Sequence, residues 1–160
     1  MSAKHFELTS EKKKDSFGRT LFRVKIAIDC KWGKKGTLGG WVEKAENLEG
    51  NAWVSGNARV FGDAHVSGDA LVSGDAWVFG DAWVSDNARV YGDAQVYDNA
   101  RVFGDARVYG GVRVFGGARV YGGARVFGDA RVSGNAWVYG NAWVSDNAWV
   151  SGNARVSGDA

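Results

Sequence analysis

Residues 50–72 read GNAWVSGNARVFGDAHVSGDALV, and the phase they set holds to the last residue of the chain. The unit is Gly-(Asn/Asp)-Ala-x-Val-y. Val recurs at 54, 60, 66 and onward to 156, in all 18 places. Ala recurs from 52 to 160 and is replaced once, by Val112. The x position is mostly Trp or Arg, and y is Ser, Phe or Tyr. Val is β-branched and stiff, suited to a pleated strand, while the residues beside it point to the opposite side. Gly with Asn or Asp supplies the dihedrals of a tight corner. Six residues therefore make one short strand and one corner, and three units close a triangular coil of 18. Val and Ala face inward. The pattern predicts an all-β parallel β-helix of about six coils, with Val 54–156 and Ala 52–160 buried and x and y exposed unless something covers them. Calcium-binding nonapeptides, leucine-rich repeats and collagen need other periods or abundant Pro, and this chain has no Pro.

Composition agrees. The 160 residues hold 24 Gly, 21 Val and 21 Ala but 5 Leu, against a helical bundle or doubly wound α/β fold. No apolar run approaches the ~20 residues of a membrane span. The start, Met1 to Lys14, lacks a signal-peptide apolar stretch. One cysteine, Cys30, excludes an internal disulfide, so a cytoplasmic location is expected. Residues 1–49 differ from the rest: they contain all nine Lys, every Glu and both Ile, and carry +4 (11 Lys and Arg against 7 acidic residues). Thr20–Cys30 alternates apolar and polar residues and predicts a strand, Gly33–Gly40 a turn, and Trp41-Val42 the start of another apolar stretch. A β-helix exposes unpaired backbone at its ends, so residues 1–49 are read as an N-terminal β-rich cap and 50–160 as the hexapeptide-repeat β-helix. The repeat region carries −2 (nine Arg, eleven Asp).

The run GNARVFGDAHVSGDALV resembles hexapeptide-repeat proteins of the left-handed β-helix class. TLFRVKIAIDCKWGKKGTLGGWVEKAENL followed by GNAWVSGNARV resembles a group of bacterial and phage GNARV-repeat proteins labelled acyltransferases. That resemblance implies a left-handed coil, against the usual right-handed crossover. It also implies an acyltransferase-like enzyme, trimeric, with a catalytic His in a cleft between subunits. The phage side implies a host-directed binder or inhibitor working in the host cytoplasm.

The residues themselves lean away from an enzyme. His5 lies in the N-terminal segment. His65, the one weak catalytic candidate, holds an outward x position in an uninterrupted coil, with no acidic partner beyond the corner Asp63. Cys30 has no nucleophile signature around it. GKKGTLGG lacks the order of a phosphate loop. Corner aspartates such as Asp63, Asp69, Asp75 and Asp81 read as turn chemistry, so neither metal nor cofactor is expected.

The outer surface carries the sharper signal. Arg at x is followed by an aromatic at y in seven of nine units, which predicts local cation–π pairs. Between 101 and 131, six Arg meet only Asp105 and Asp129. Arg101, Phe103, Arg107, Tyr109, Arg113, Phe115, Arg119, Tyr121, Arg125, Phe127 and Arg131 form the candidate binding belt. Trp137, Trp143 and Trp149 are candidate oligomer contacts. The expected function is a non-catalytic, rigid interaction scaffold binding protein, itself included, as a dimer through the C-terminal end or a trimer. A nucleic-acid surface on the Arg101–Arg131 belt and the acyltransferase are the alternatives. No membrane partner is expected.

Overall fold

A computed structural model describes residues 5–14 and 18–158. Each hexad forms a two-residue x-Val strand, from Trp53–Val54 to Arg155–Val156, and each strand pairs in parallel with the strand 18 residues on. The strands build three ladders, here called faces one to three. Face one carries Trp53, Leu71, Arg89, Arg107, Arg125 and Trp143 at x. Face two carries Arg59, Trp77, Gln95, Arg113, Arg131 and Trp149. Face three carries His65, Trp83, Arg101, Arg119, Trp137 and Arg155. The chain is a β-solenoid of about six stacked coils.

Inward Val from 54 to 150 and inward Ala from 52 to 142, with Val112, form one continuous buried core. Each buried Val contributes about 1.5–3 kcal/mol. Three inward positions depart from the expected register: Ala148 and Ala154 are exposed and Val156 is half-buried. They lie in the last described coil, where no further coil packs on them. Ala160, also expected inside, lies outside the described residues. Gly110, which precedes the bulkier Val112, has φ 76°, the widest of the corner glycines from Gly50 to Gly158.

At the other end, β1 (Phe6–Lys14) and β2 (Thr20–Ile26) pair antiparallel, and β2 pairs antiparallel with β3 (Leu38–Val42). The sequence did not mark β1. Its outer edge carries Lys12, Lys13 and Lys14, charges that discourage further pairing. The expected strand Thr20–Cys30 stops at Ile26, because the chain then folds into a turn. Gly36 N–H donates to Ile26 O, Lys35 N–H donates to Asp29 Oδ1, and Cys30 bridges Gly33.

β3 pairs in parallel with Arg59–Val60, so Trp41 and Val42 hold x and Val positions one coil before them. Leu48 bridges Val66 in the same way. Parallel stacking thus begins ahead of Gly50, and Val42, Leu48 and Val54 keep the hexad phase. Asn47, buried beside Leu48, donates through Nδ2 to Ala64 O at 2.8 Å and accepts at Oδ1 from Lys44 N–H. The cap also covers two side chains expected outside. Trp53 packs near the ring of His5, and Phe61 packs with Leu21 and Trp41. Lys31–Asp69 at 2.9 Å and Lys44–Asp63 at 3.0 Å tie cap to repeat. Asp69 titrates below its usual range, held by hydrogen bonds from Lys31 and then Asn51.

Candidate functional site

The eighteen-residue period sorts the belt in a way the six-residue period hides. Arg107, Tyr109, Arg125 and Phe127 lie on face one. Arg113, Phe115 and Arg131 lie on face two. Arg101, Phe103, Arg119 and Tyr121 lie on face three. The belt is spread over all three faces. A partner meeting a single flat face meets a third of it.

The aromatic residues at y pack along the axis rather than beside their own arginines. Phe61, Phe79, Tyr97 and Phe115 stack on face two, with neighbouring centroids 4.9–5.1 Å apart and planes within 5°. Tyr91, Tyr109 and Phe127 stack on face one. Phe103, Tyr121 and Tyr139 stack on face three. Centroid gaps near 5 Å between parallel planes mean an offset stack, the favoured geometry. Burial within the stacks pushes the phenols of Tyr97 and Tyr121 above their ordinary range.

The arginines meet indoles of the adjacent coil instead. Arg59 lies over Trp77, Arg101 over Trp83, Arg119 over Trp137, Arg125 over Trp143 and Arg131 over Trp149, at 5.0–5.6 Å. This corrects the expected pairing of each Arg with the aromatic two residues on. The stacks have already engaged those ring faces, and an indole on the same ladder lies directly opposite the guanidinium.

Arg89, Arg107 and Arg113 are left over. Arg113 stands alone between Gln95 and the indole-bound Arg131 on face two, whereas Arg89 and Arg107 stand directly opposite each other on face one, with Arg125 next in line, all at about 4.8 Å spacing. Among the described residues neither has an ion pair or a ring beneath it, and both are exposed. Two cavities border them. One of about 230 Å³ is lined by Leu71, Ser73, Arg89, Tyr91 and Arg107. One of about 390 Å³ includes Asn87, Asp105, Gly123 and Asn141 beside Arg89, Arg107 and Arg125. Asn87 Nδ2 donates to Asp105 Oδ1 at 3.2 Å, which engages one of the two carboxylate oxygens. Gly123 leaves a notch in the corner ladder; a Cβ there would come within 2.8 Å of Asn141 Oδ1. Arg89 and Tyr91 fell outside the sequence-derived belt. Reading x and y at every eighteenth residue, rather than every sixth, would have found them.

The remaining candidates are dispersed. His65 is half-buried on face three, with Nδ1 3.2 Å from Glu46 O and its ring edge-on to Trp83. No carboxylate of the described residues is within ion-pair distance of it. Trp137, Trp143 and Trp149 lie on faces three, one and two respectively, and Trp143 and Trp149 are 58% and 69% exposed. Among the described residues, no group of three or more His, Cys, Asp or Glu is placed to hold a metal ion. No helix there is long and apolar enough to cross a membrane.

The chain is similar to the family described as YdcK Beta solenoid repeat, over residues 52–68, 94–110, 124–140 and 136–152. Each match runs from an inward position of one hexad to a corner Gly almost one coil later. No curated protein matches the chain. The repeat match and the stacked coils together make this a β-helix repeat protein.

Proposed function

We propose that the chain is a non-catalytic, rigid scaffold that binds an acidic surface of a partner protein through the arginine ladder of face one. The register of Arg89 against Arg107 carries the reading. Like charges directly opposite across a ladder are destabilising, and an anionic partner laid on face one would relieve that repulsion along three successive arginines. Arginine is also among the side chains most enriched at binding hot spots. The Val/Ala wall behind the ladder supplies a support that does not reorganise on binding. Face two has only Arg113 and Arg131 in succession. Face three has Arg101 and Arg119, both already on indoles.

The GNARV resemblance supports placing the chain among bacterial and phage hexapeptide proteins of the cytoplasm, where its single thiol fits. The acyltransferase label draws little support from His65, whose ring packs on Trp83 without an acidic partner. Self-association through Trp143 and Trp149 is the second part of the proposal, favoured by their exposure.

A deca-glutamate peptide tests the main reading. It should bind, more weakly as salt rises, and Arg107→Glu should abolish binding while Arg155→Glu on face three leaves it unchanged. No binding, or equal loss from both variants, would overturn it.

A further inference from the structure

We infer that the partner segment seats one planar side-chain ring over Tyr91, in a gap where the aromatic stack of face one lacks a rung, with its acidic residues on Arg89 and Arg107. This rests on the acidic-partner reading above. Tyr91 stacks on Tyr109 at 4.9 Å with planes 6° apart, and Tyr109 on Phe127 at 5.2 Å. One coil towards the N-terminus the stack meets Ser73. The backbone continues in register there, since Ser73 N–H donates to Val90 O at 2.9 Å, but the ring does not. The 230 Å³ cavity lies at that vacancy, walled by Leu71 and flanked by Arg89 and Arg107.

Rings inside a stack turn their edges to solvent, and only a terminal ring offers a free face. Phe61, which ends the stack on face two, is buried under the cap, and Phe127 has Trp143 against it at 5.9 Å. Phe103, Phe115 and Tyr139 also adjoin serines in the ladder, at Ser85, Ser133 and Ser157. Tyr91 differs in bordering the cavity together with two arginines that have no other partner. The cavity falls below the roughly 300–1,000 Å³ of small-molecule pockets, which suits a single side chain. Stacking on the free face completes an offset aromatic pair, and an aromatic residue flanked by carboxylates matches ring and cations together.

Single-stranded nucleic acid fits less well. It needs several successive stacking faces, and this ladder offers one. Asp105 stands in the adjoining cavity, and the repeat region holds more Asp than Arg.

The probes are a deca-glutamate peptide with one central Phe, the same peptide with Ala there, and oligothymidylate. The Phe peptide should bind the unaltered protein about tenfold more tightly than the Ala peptide. Ser73→Tyr supplies the missing rung with a residue the repeat already uses at y, and should erase that difference. Ser133→Tyr on face two should preserve it. Equal affinity of the two peptides for the unaltered protein, a comparison needing no variant, overturns the ring site. So does a difference that survives in a folded Ser73→Tyr protein. Either result leaves the acidic-partner reading standing, which fails instead if neither peptide binds or if Arg107→Glu and Arg155→Glu weaken binding equally. Oligothymidylate bound more tightly than the Phe peptide, and blocked by Ser73→Tyr, overturns protein as the ligand class.

Discussion

Arg131 sets its guanidinium 5.0 Å from the ring centre of Trp149, its direct partner one coil on. The contact belongs to the ladder rather than to the hexad, because the two residues are 18 apart. A double-mutant cycle on Arg131→Ala and Trp149→Ala should give a coupling of about 0.5–1 kcal/mol in urea unfolding. The same cycle on Arg131 and Trp143, which lie on different faces, should give none. Equal coupling in both cycles would contradict the ladder geometry.

His5 is buried beneath the hairpin, and its Nε2–H donates to Ala52 O at 2.9 Å. Burial holds its pKa below the ordinary 6.5, outweighing the backbone hydrogen bonds that act the other way. The unfolded chain therefore takes up the proton first. The stability His5 supplies is complete above pH 6.5 and is lost as pH falls through the lower, folded value. Comparing unfolding midpoints at pH 7.5 and 5.5 should show a loss that His5→Gln reduces. An unchanged loss in that variant would place the proton elsewhere.

The corners make a sharper stability test, because two glycines with nearly the same backbone differ in what lies beyond them. Gly92 has φ 70° and Gly152 φ 63°. A Cβ on Gly92 would meet Gly110 N at 2.8 Å, whereas one on Gly152 meets nothing within 4 Å. Gly152→Ala should cost only the left-handed penalty, about 1–2 kcal/mol. Gly92→Ala should cost clearly more, since the clash is with backbone of the next coil. Matching losses in thermal unfolding would mean the coils separate more freely than their spacing indicates.

Val114 and Val112 test the core in the same manner. Both are fully buried, but Val114 holds the regular inward position and Val112 stands where every other hexad has Ala. Val114→Ala should cost about 2 kcal/mol or more, as a truncation that the stacked walls cannot collapse to fill. Val112→Ala returns the site to the repeat and should cost less than half of that, with Gly110 moving back towards the φ of its neighbours. A larger loss at Val112 would show that its extra methyl groups fill space the other coils lack.

The hexad made the coil legible because Val, Ala and Gly each have one place to go: Val inward on the strand, Ala inward beside it, Gly at the left-handed corner. Its phase in fact reaches back through Leu48 to Val42, a signal obscured by Glu46 and Asn47 standing where Ala and x belong. β1 was hidden because FELTSEKKK pairs along a solvated edge and shows little alternation. The surface was harder to read. Side chains at x and y are chosen by neighbours 18 residues away, so pairing each Arg with its own aromatic put the contacts in the wrong place. Arg89 opens the Arg-rich middle coils in the sequence, but its significance lies in Arg107 directly opposite, a pairing that only the eighteen-residue period shows.

Trp143 and Trp149 offer the largest exposed apolar rings of the described residues, on adjacent faces of one coil, at 58% and 69% exposure. Indoles at that exposure are typical of surfaces that another protein covers, and each already has a guanidinium on it from Arg125 or Arg131. A second copy of the chain is the partner always present at high concentration, so sedimentation should give a mass above the monomer at tens of micromolar and a lower one on dilution. Trp143→Glu with Trp149→Glu should yield a monomer throughout, by placing carboxylates in the covered surface. The deca-glutamate peptide separates this contact from the face-one site. The double variant should still bind it, because Arg89 and Arg107 lie coils away from Trp143 and Trp149. A monomeric mass for the unaltered protein at every concentration would remove self-association and leave face one as the surface on which a partner is to be sought.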